Sequence, residues 1–187
     1  MSGWLRKAFG GTPEGRRVQS YLAVVGREPD EPDVRWLAAA ATDGDEDRAK
    51  WELRYARRAI GLLVAERDAL DDRTASLVSR ELRRSLQMDR NIAAGMVRVA
   101  ERQFNERLSA FRAGLEARTA GEAPSVRLAR VLLGGARSTG GSADLIARAS
   151  DLTSRYLVEA GDGLREAFGT SGLPLDQQPS VWRARRQ

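Results

Sequence analysis

The chain has 187 residues, of which 42% are hydrophobic and 30% charged, and carries a net charge of +5. This is enough for one domain with a real core, and it is not the composition of a disordered chain. Cysteine and histidine are both absent, which removes disulfides, thiolate nucleophiles, Ser-His-Asp triads, histidine-liganded zinc and the Glu-x-x-His pairs of di-iron bundles.

Trp4 to Phe9 is a short amphipathic segment that stops at Gly10-Gly11. Thr12-Pro13-Glu14 is a helix start, with a capping hydroxyl, proline at the first helical position and an acid in the first turn. Val18, Tyr21, Leu22 and Val25 follow at helical spacing, and Gly26 is the expected stop. Glu28 to Asp33 is an acidic loop punctuated by Pro29 and Pro32. Val34 to Ala41 then forms a short apolar helix. Thr42-Asp43-Gly44-Asp45 ends that helix and caps the next.

From Asp33 to Ala123 there is no proline. Proline costs about 3 kcal/mol inside a helix, so this span, rich in Ala, Leu, Arg and Glu, reads as long helices. The spacing predicts three, over about 45–70, 73–88 and 90–119. Leu53, Ala56, Ile60, Leu63 and Leu70 mark one apolar face of the first. Asp71 to Thr74 reads as a break and recap, with a continuous helix over 45–88 as the alternative. Leu77, Val78, Leu82 and Leu86 form the second face. Ile92, Met96, Val99, Phe104, Leu108, Phe111 and Leu115 form the third. Its irregular spacing fits a packed bundle better than a coiled coil.

Glu122-Ala123-Pro124-Ser125 starts a shorter helix. Gly134 to Ser142 is a Gly/Ser/Thr-rich linker. The last helix presents Leu145, Ala149, Leu152, Tyr156 and Leu157, and Gly161-Asp162-Gly163 is read as a kink or an end. No segment shows strand alternation that survives comparison with the helical pattern. The expected fold is therefore all-α: an antiparallel bundle of three long central helices with shorter flanking ones. It forms a single domain over 1–169, made of N-terminal short helices (1–44), a long-helix core (45–119) and C-terminal helices (120–169). A flexible basic tail covers 170–187.

Charge is unevenly spread. Residues 1–29 carry a net +3, 30–47 a net −6, 48–119 a net +6 and 120–187 a net +2. An acidic connector thus sits beside a basic helical block, and the two attract each other within the fold or between copies. Arg54, Arg57, Arg58, Arg80, Arg83, Arg84, Arg98, Arg102 and Arg112 suggest a phosphate-binding stripe. Interleaved Glu52, Glu66, Glu81, Glu101 and Glu106 argue instead for solvated mixed faces, with pairs such as Arg48–Glu52 and Arg102–Glu106 at helical spacing.

Neither chain end carries a catalytic motif. Trp4, Leu5, Arg6, Lys7 and Phe9 suit a membrane interface or a partner, the ring lying at headgroup level and the cations meeting anionic lipid. The competing reading packs Trp4 and Phe9 on the bundle. Trp182, Arg183, Arg185 and Arg186 suit stacking and phosphate or partner contact, against a solvated chain end. The glycine-rich linker lacks the Gly-Lys-Ser/Thr of a P-loop. Asp43, Asp45, Glu46 and Asp47 lack a calcium-loop pattern, and a helix start enriched in acids accounts for them through the helix dipole. No catalytic, cofactor-binding or metal-ligating residue is assigned, and no cofactor.

Two local resemblances exist. Trp4-Leu5-Arg6-Lys7-Ala8-Phe9 resembles the short membrane-targeting helices at the ends of some bacterial cytoskeletal and cell-division proteins. Ala100-Glu101-Arg102-Gln103-Phe104-Asn105, followed by Leu108 and Phe111, resembles one helix of the LemA-type bacterial helical proteins; the transmembrane anchor of that family is missing, and no function is carried over.

The functional expectation is a non-catalytic bacterial structural or adaptor protein. It would act through helix–helix protein contacts, in a homo-oligomer or larger complex. The alternatives are a peripheral membrane protein anchored by residues 4–9 and a nucleic-acid-associated subunit using the arginine faces. No run approaches the ~18 apolar residues of a membrane span, and no apolar stretch follows Arg6 and Lys7. The expected location is cytoplasmic, with the inner membrane face as the peripheral variant.

Overall fold

The computed structural model describes residues 12–69, 71–117, 121–134 and 143–169. The fold is all-α, with no strand among the described residues. The helices are α1 (Pro13–Val25), α2 (Glu31–Ala41), α3 (Glu46–Asp68), α4 (Asp72–Gln87), α5 (Val97–Glu116), α6 (Pro124–Gly134) and α7 (Ala143–Phe168); a 3-10 turn at Ala94–Met96 leads into α5.

The starts of the helices follow their local sequence. The Thr12 hydroxyl accepts the Gly15 N–H at 3.1 Å, with Pro13 at the first helical position. The Asp45 carboxylate accepts the Arg48 N–H at 2.9 Å, and Asp71 accepts the Thr74 N–H at 2.6 Å. Each such cap contributes on the order of 1 kcal/mol. The Asp71 cap also separates residues 45–88 into two helices.

The core is organised around α3, which packs against α1, α2, α4, α5 and α7. Its residues 52–65 are all buried. The spacing of Leu53, Ala56, Ile60 and Leu63 had marked a single apolar stripe, whereas Tyr55, Leu62 and Val64 on the other sides are buried as well. A helix surrounded on every side needs no polar face, and this one still carries four charged residues inside.

Two glycines set how closely α1 approaches. A Cβ on Gly61 of α3 would lie 2.5 Å from Val25 Cγ1, and one on Gly163 of α7 would lie 3.1 Å from both γ-methyls of Val24. Val24 and Val25 therefore wedge α1 into notches on two helices. The Tyr21 hydroxyl completes the wedge by donating to the Gly61 carbonyl at 2.7 Å.

Two boundaries differ from expectation. The third long helix starts at Val97 rather than near 90, so Ile92 and Met96 lie outside it. Asp89 is the reason: its carboxylate accepts the Asn91 N–H at 3.0 Å and the guanidinium of Arg58 at 2.9 Å, which fixes a turn where a helix was expected. The last helix, in contrast, runs unbroken through Gly161-Asp162-Gly163 and, at 26 residues, is the longest described. A mid-helix glycine costs about 1 kcal/mol; at Gly163 the close contact with Val24 offsets it. The long helices are thus α3, α5 and α7, with α3 central.

Candidate interaction surface

The arginines of the basic block divide into two groups. Arg54, Arg57 and Arg58 were read as part of a solvated face or a phosphate stripe, but they are only 6%, 6% and 7% exposed. Each meets a carboxylate from a different part of the chain. Arg54 donates to Glu28 from Nε and Nη2, at 3.0 and 2.6 Å, and lies 4.5 Å above the Trp51 ring. Arg57 donates to the Val24 carbonyl at 3.2 Å, pairs with Glu159 on α7 and lies 5.0 Å above the Tyr156 ring. Arg58 holds Asp89.

The buried carboxylate on α3 follows the same rule. Glu52 was paired by spacing with Arg48; it instead accepts two hydrogen bonds from Arg107 on α5, at 2.6 and 2.5 Å. Bidentate geometry of this kind is among the strongest charge-assisted contacts. Tyr55, one turn further along, donates to Gln103 at 3.2 Å. The charges inside the protein thus link α3 to α5, α7 and the connections at Glu28 and Asp89. Removing a cation from water costs several kcal/mol unless a partner meets it, so these guanidinia are committed to the fold rather than available to an external phosphate.

Ionisation follows this environment. Burial raises the pKa of Tyr21, Tyr55 and Tyr156, so all three phenols stay neutral well above their ordinary range. At Asp89 burial works against the charge, but the Asn91 backbone N–H and the Arg58 guanidinium outweigh it and hold the carboxyl below its usual value.

The second group of arginines lies on α4. Ser76, Arg80, Arg83 and Gln87 recur at helical spacing along one side, with Ala75, Ser79 and Arg84 beside them; together with Glu66 of α3 they line an open trough of about 670 Å³. Arg80, Arg83 and Arg84 are exposed. Arg80 donates to the buried Glu81 at 3.0 Å while most of its side chain stays in solvent. Glu66 is neutralised by Arg112, 2.8 Å away on α5. The trough floor is therefore electrically balanced, and its wall is cationic. Sequence spacing held the Ser76–Arg80–Arg83–Gln87 stripe, but the arginines alone were singled out.

A second open concavity follows α5 along Arg98, Arg102, Asn105 and Ser109. Here acids match the cations: Arg102 lies 4.0 Å from Glu106, and Glu101 accepts the Gln87 side-chain N–H at 2.8 Å. This face has the mixed, solvated character expected of it. Met88 and Met96 are exposed at the turn between α4 and α5.

The acidic connector also divides. Its first half is used internally, Glu28 by Arg54 and Asp33 by Arg155. Its second half is a solvent-facing tip: Asp43, Asp45, Glu46 and Asp47 are all exposed. The tip is stiff. Asp43 and Gly44 take left-handed φ values of 55° and 84°, the Gly44 N–H donates to the Ala38 carbonyl at 2.9 Å, and the Thr42 hydroxyl donates to the Asp45 carbonyl at 2.7 Å. Among the described residues no group of three or more Asp or Glu side chains is arranged to hold a metal ion.

The two chain-end candidates, Trp4, Leu5, Arg6, Lys7 and Phe9 and then Trp182, Arg183, Arg185 and Arg186, lie outside the described residues. So does the glycine-rich linker beyond Gly134. No described helix is long and apolar enough to cross a membrane. Comparison with family models, with curated proteins and with solved structures gave no match. The likeness of residues 100–111 to a LemA-type helix is confined to that helix, α5.

Proposed function

We propose that the protein is a non-catalytic structural or adaptor protein that acts by binding protein partners on its helical surface, in a homo-oligomer or larger complex. The observation that carries this reading is the α4 trough. It offers a row of guanidinium and hydroxyl groups along an open helix face, a shape suited to an acidic polypeptide segment rather than to an enclosed small molecule. The inner charges support the reading from the other side, because they are paired with one another and tie the helices together. A rigid frame with one row of outward arginines presents charge at low ordering cost.

The test is site-specific photo-crosslinking in the native cell. A photoreactive side chain replacing Ser79, inside the trough, should capture protein. The same group replacing exposed Ala39 on α2 serves as the control. Capture of protein at 79 and not at 39 is the expected result. Capture of nucleic acid at 79, or equal capture at both positions, would reject the reading.

A further inference from the structure

We propose that the α4 trough receives the acidic tip at residues 43–47 of a second copy of this chain, making a head-to-tail contact. The proposal rests on the reading of the protein as one that works through protein contacts, and it names the partner.

Three observations lead to it. The first is complementarity. The trough wall carries Arg80, Arg83 and Arg84, and the tip carries four exposed acids in five residues, Asp43, Asp45, Glu46 and Asp47. None of the ion pairs among the described residues uses a tip acid, whereas Glu28, Asp30 and Asp33 of the same connector are paired and Glu31, like the tip acids, is exposed.

The second is separation. Arg58 meets Asp89, two residues past the end of α4, so α4 lies beside the C-terminal half of α3. From Arg58 back to Glu46 is twelve residues of α3, or about 18 Å at 1.5 Å per residue. The tip thus lies some twelve residues of α3 away from the Arg58 contact, and no ion pair among the described residues joins it to the trough.

The third is stiffness. The tip is held by the Thr42 and Gly44 hydrogen bonds and by the Asp45 cap, and the trough wall is one regular helix. Neither backbone has to be ordered on binding, which lowers the cost of association to that of the side chains.

A tip-to-trough contact joins two different patches. It is heterologous, so each copy keeps a free tip and a free trough, and association continues into rings or chains. The charge of the whole molecule sharpens the inference. At +5 copies repel each other overall, so association at low salt requires a specific local attraction. The contact should be strong when the Debye length is long, ~30 Å at 0.01 M salt, and lost when it is short, ~3 Å at 1 M.

The experiment is sedimentation velocity of the full chain across a concentration series at those two salts. Two variants accompany it: Glu46→Gln/Asp47→Asn at the tip, and Arg83→Gln/Arg84→Gln in the trough. Arg80 is left in place because it is the partner of buried Glu81. Circular dichroism and urea unfolding establish that both variants fold; if the trough pair fails to fold, Arg83→Gln alone replaces it. The wild type should associate at low salt and not at high salt. Each variant should need a roughly ten-fold higher concentration, as expected for losing two screened charge pairs. Mixing the two variants should restore association as 1:1 dimers and no longer species, since only one intact tip and one intact trough remain per pair. A monomer at every concentration would overturn the proposal. So would association that is insensitive to salt, or a mixture that behaves as its components do. If protein is captured at position 79 while the chain alone stays monomeric, the proposed function survives and the self-contact does not.

Discussion

Helices α3 and α4 are consecutive in the chain, similarly rich in arginine, and opposite in what they do with it. On α3, Arg54, Arg57 and Arg58 are buried against Glu28, Glu159 and Asp89. On α4, Arg80, Arg83 and Arg84 face an open trough. Residue type does not decide between these fates. What decides is whether distant segments enclose the guanidinium while bringing a carboxylate to it. The partners of the α3 arginines lie 26 to 102 residues away. The difference teaches that a charged helix is not always a surface helix: here the most charged stretch of the core is also the most enclosed.

The largest expected effect is at the bidentate pair. Arg107→Ala leaves Glu52 buried without its partner and should destabilise the protein by roughly 3 kcal/mol in urea unfolding, the cost typical of stranding a buried charge. Replacing both residues, as Glu52→Leu/Arg107→Leu, should recover much of that loss. A double variant as unstable as the single one would show that the pair contributes more than mutual neutralisation.

Next is the packing of α1 on the central helix. Gly61→Ala places a Cβ 2.5 Å from a methyl of Val25, and should cost about 1–3 kcal/mol by overpacking. The shorter side chain of Val25→Ala, combined with Gly61→Ala, should restore part of the stability. An unchanged unfolding midpoint in the single variant would mean that α1 sits away from its notch.

The smallest effect is in pH dependence. The folded-state pKa of Asp89 is lowered, so its stabilising contribution is complete above the ordinary carboxyl value near 3.8 and is lost as pH falls through the depressed one. Unfolding free energy should therefore drop below about pH 4, and more steeply in the wild type than in Asp89→Asn. Equal slopes would place no weight on this carboxylate.

The helical class, the caps at Thr12, Asp45 and Asp71 and the division between α3 and α4 were legible in the sequence, because capping and helical spacing are local. The start of α5 was not, because the turn at Asp89 depends on Arg58, 31 residues earlier. The continuity of α7 was hidden for a similar reason: glycine reads as a break until Val24 is seen against it. The stripe of Ser76, Arg80, Arg83 and Gln87 was present in the spacing, but whether it faced a neighbour or an open trough depends on where Glu66 and Arg112 fall. Sequence alone also gave no means of sorting the arginines into buried and exposed ones.

The central claim, that the buried Arg54, Arg57 and Arg58 of α3 hold the fold while Arg83 of α4 does not, is tested most directly by one side-by-side measurement. The urea unfolding of Arg58→Gln and Arg83→Gln is compared with wild type. Arg58→Gln should lose about 3 kcal/mol, and Arg83→Gln should change by no more than about 0.5 kcal/mol. Equal losses, or a stable Arg58→Gln, would contradict it.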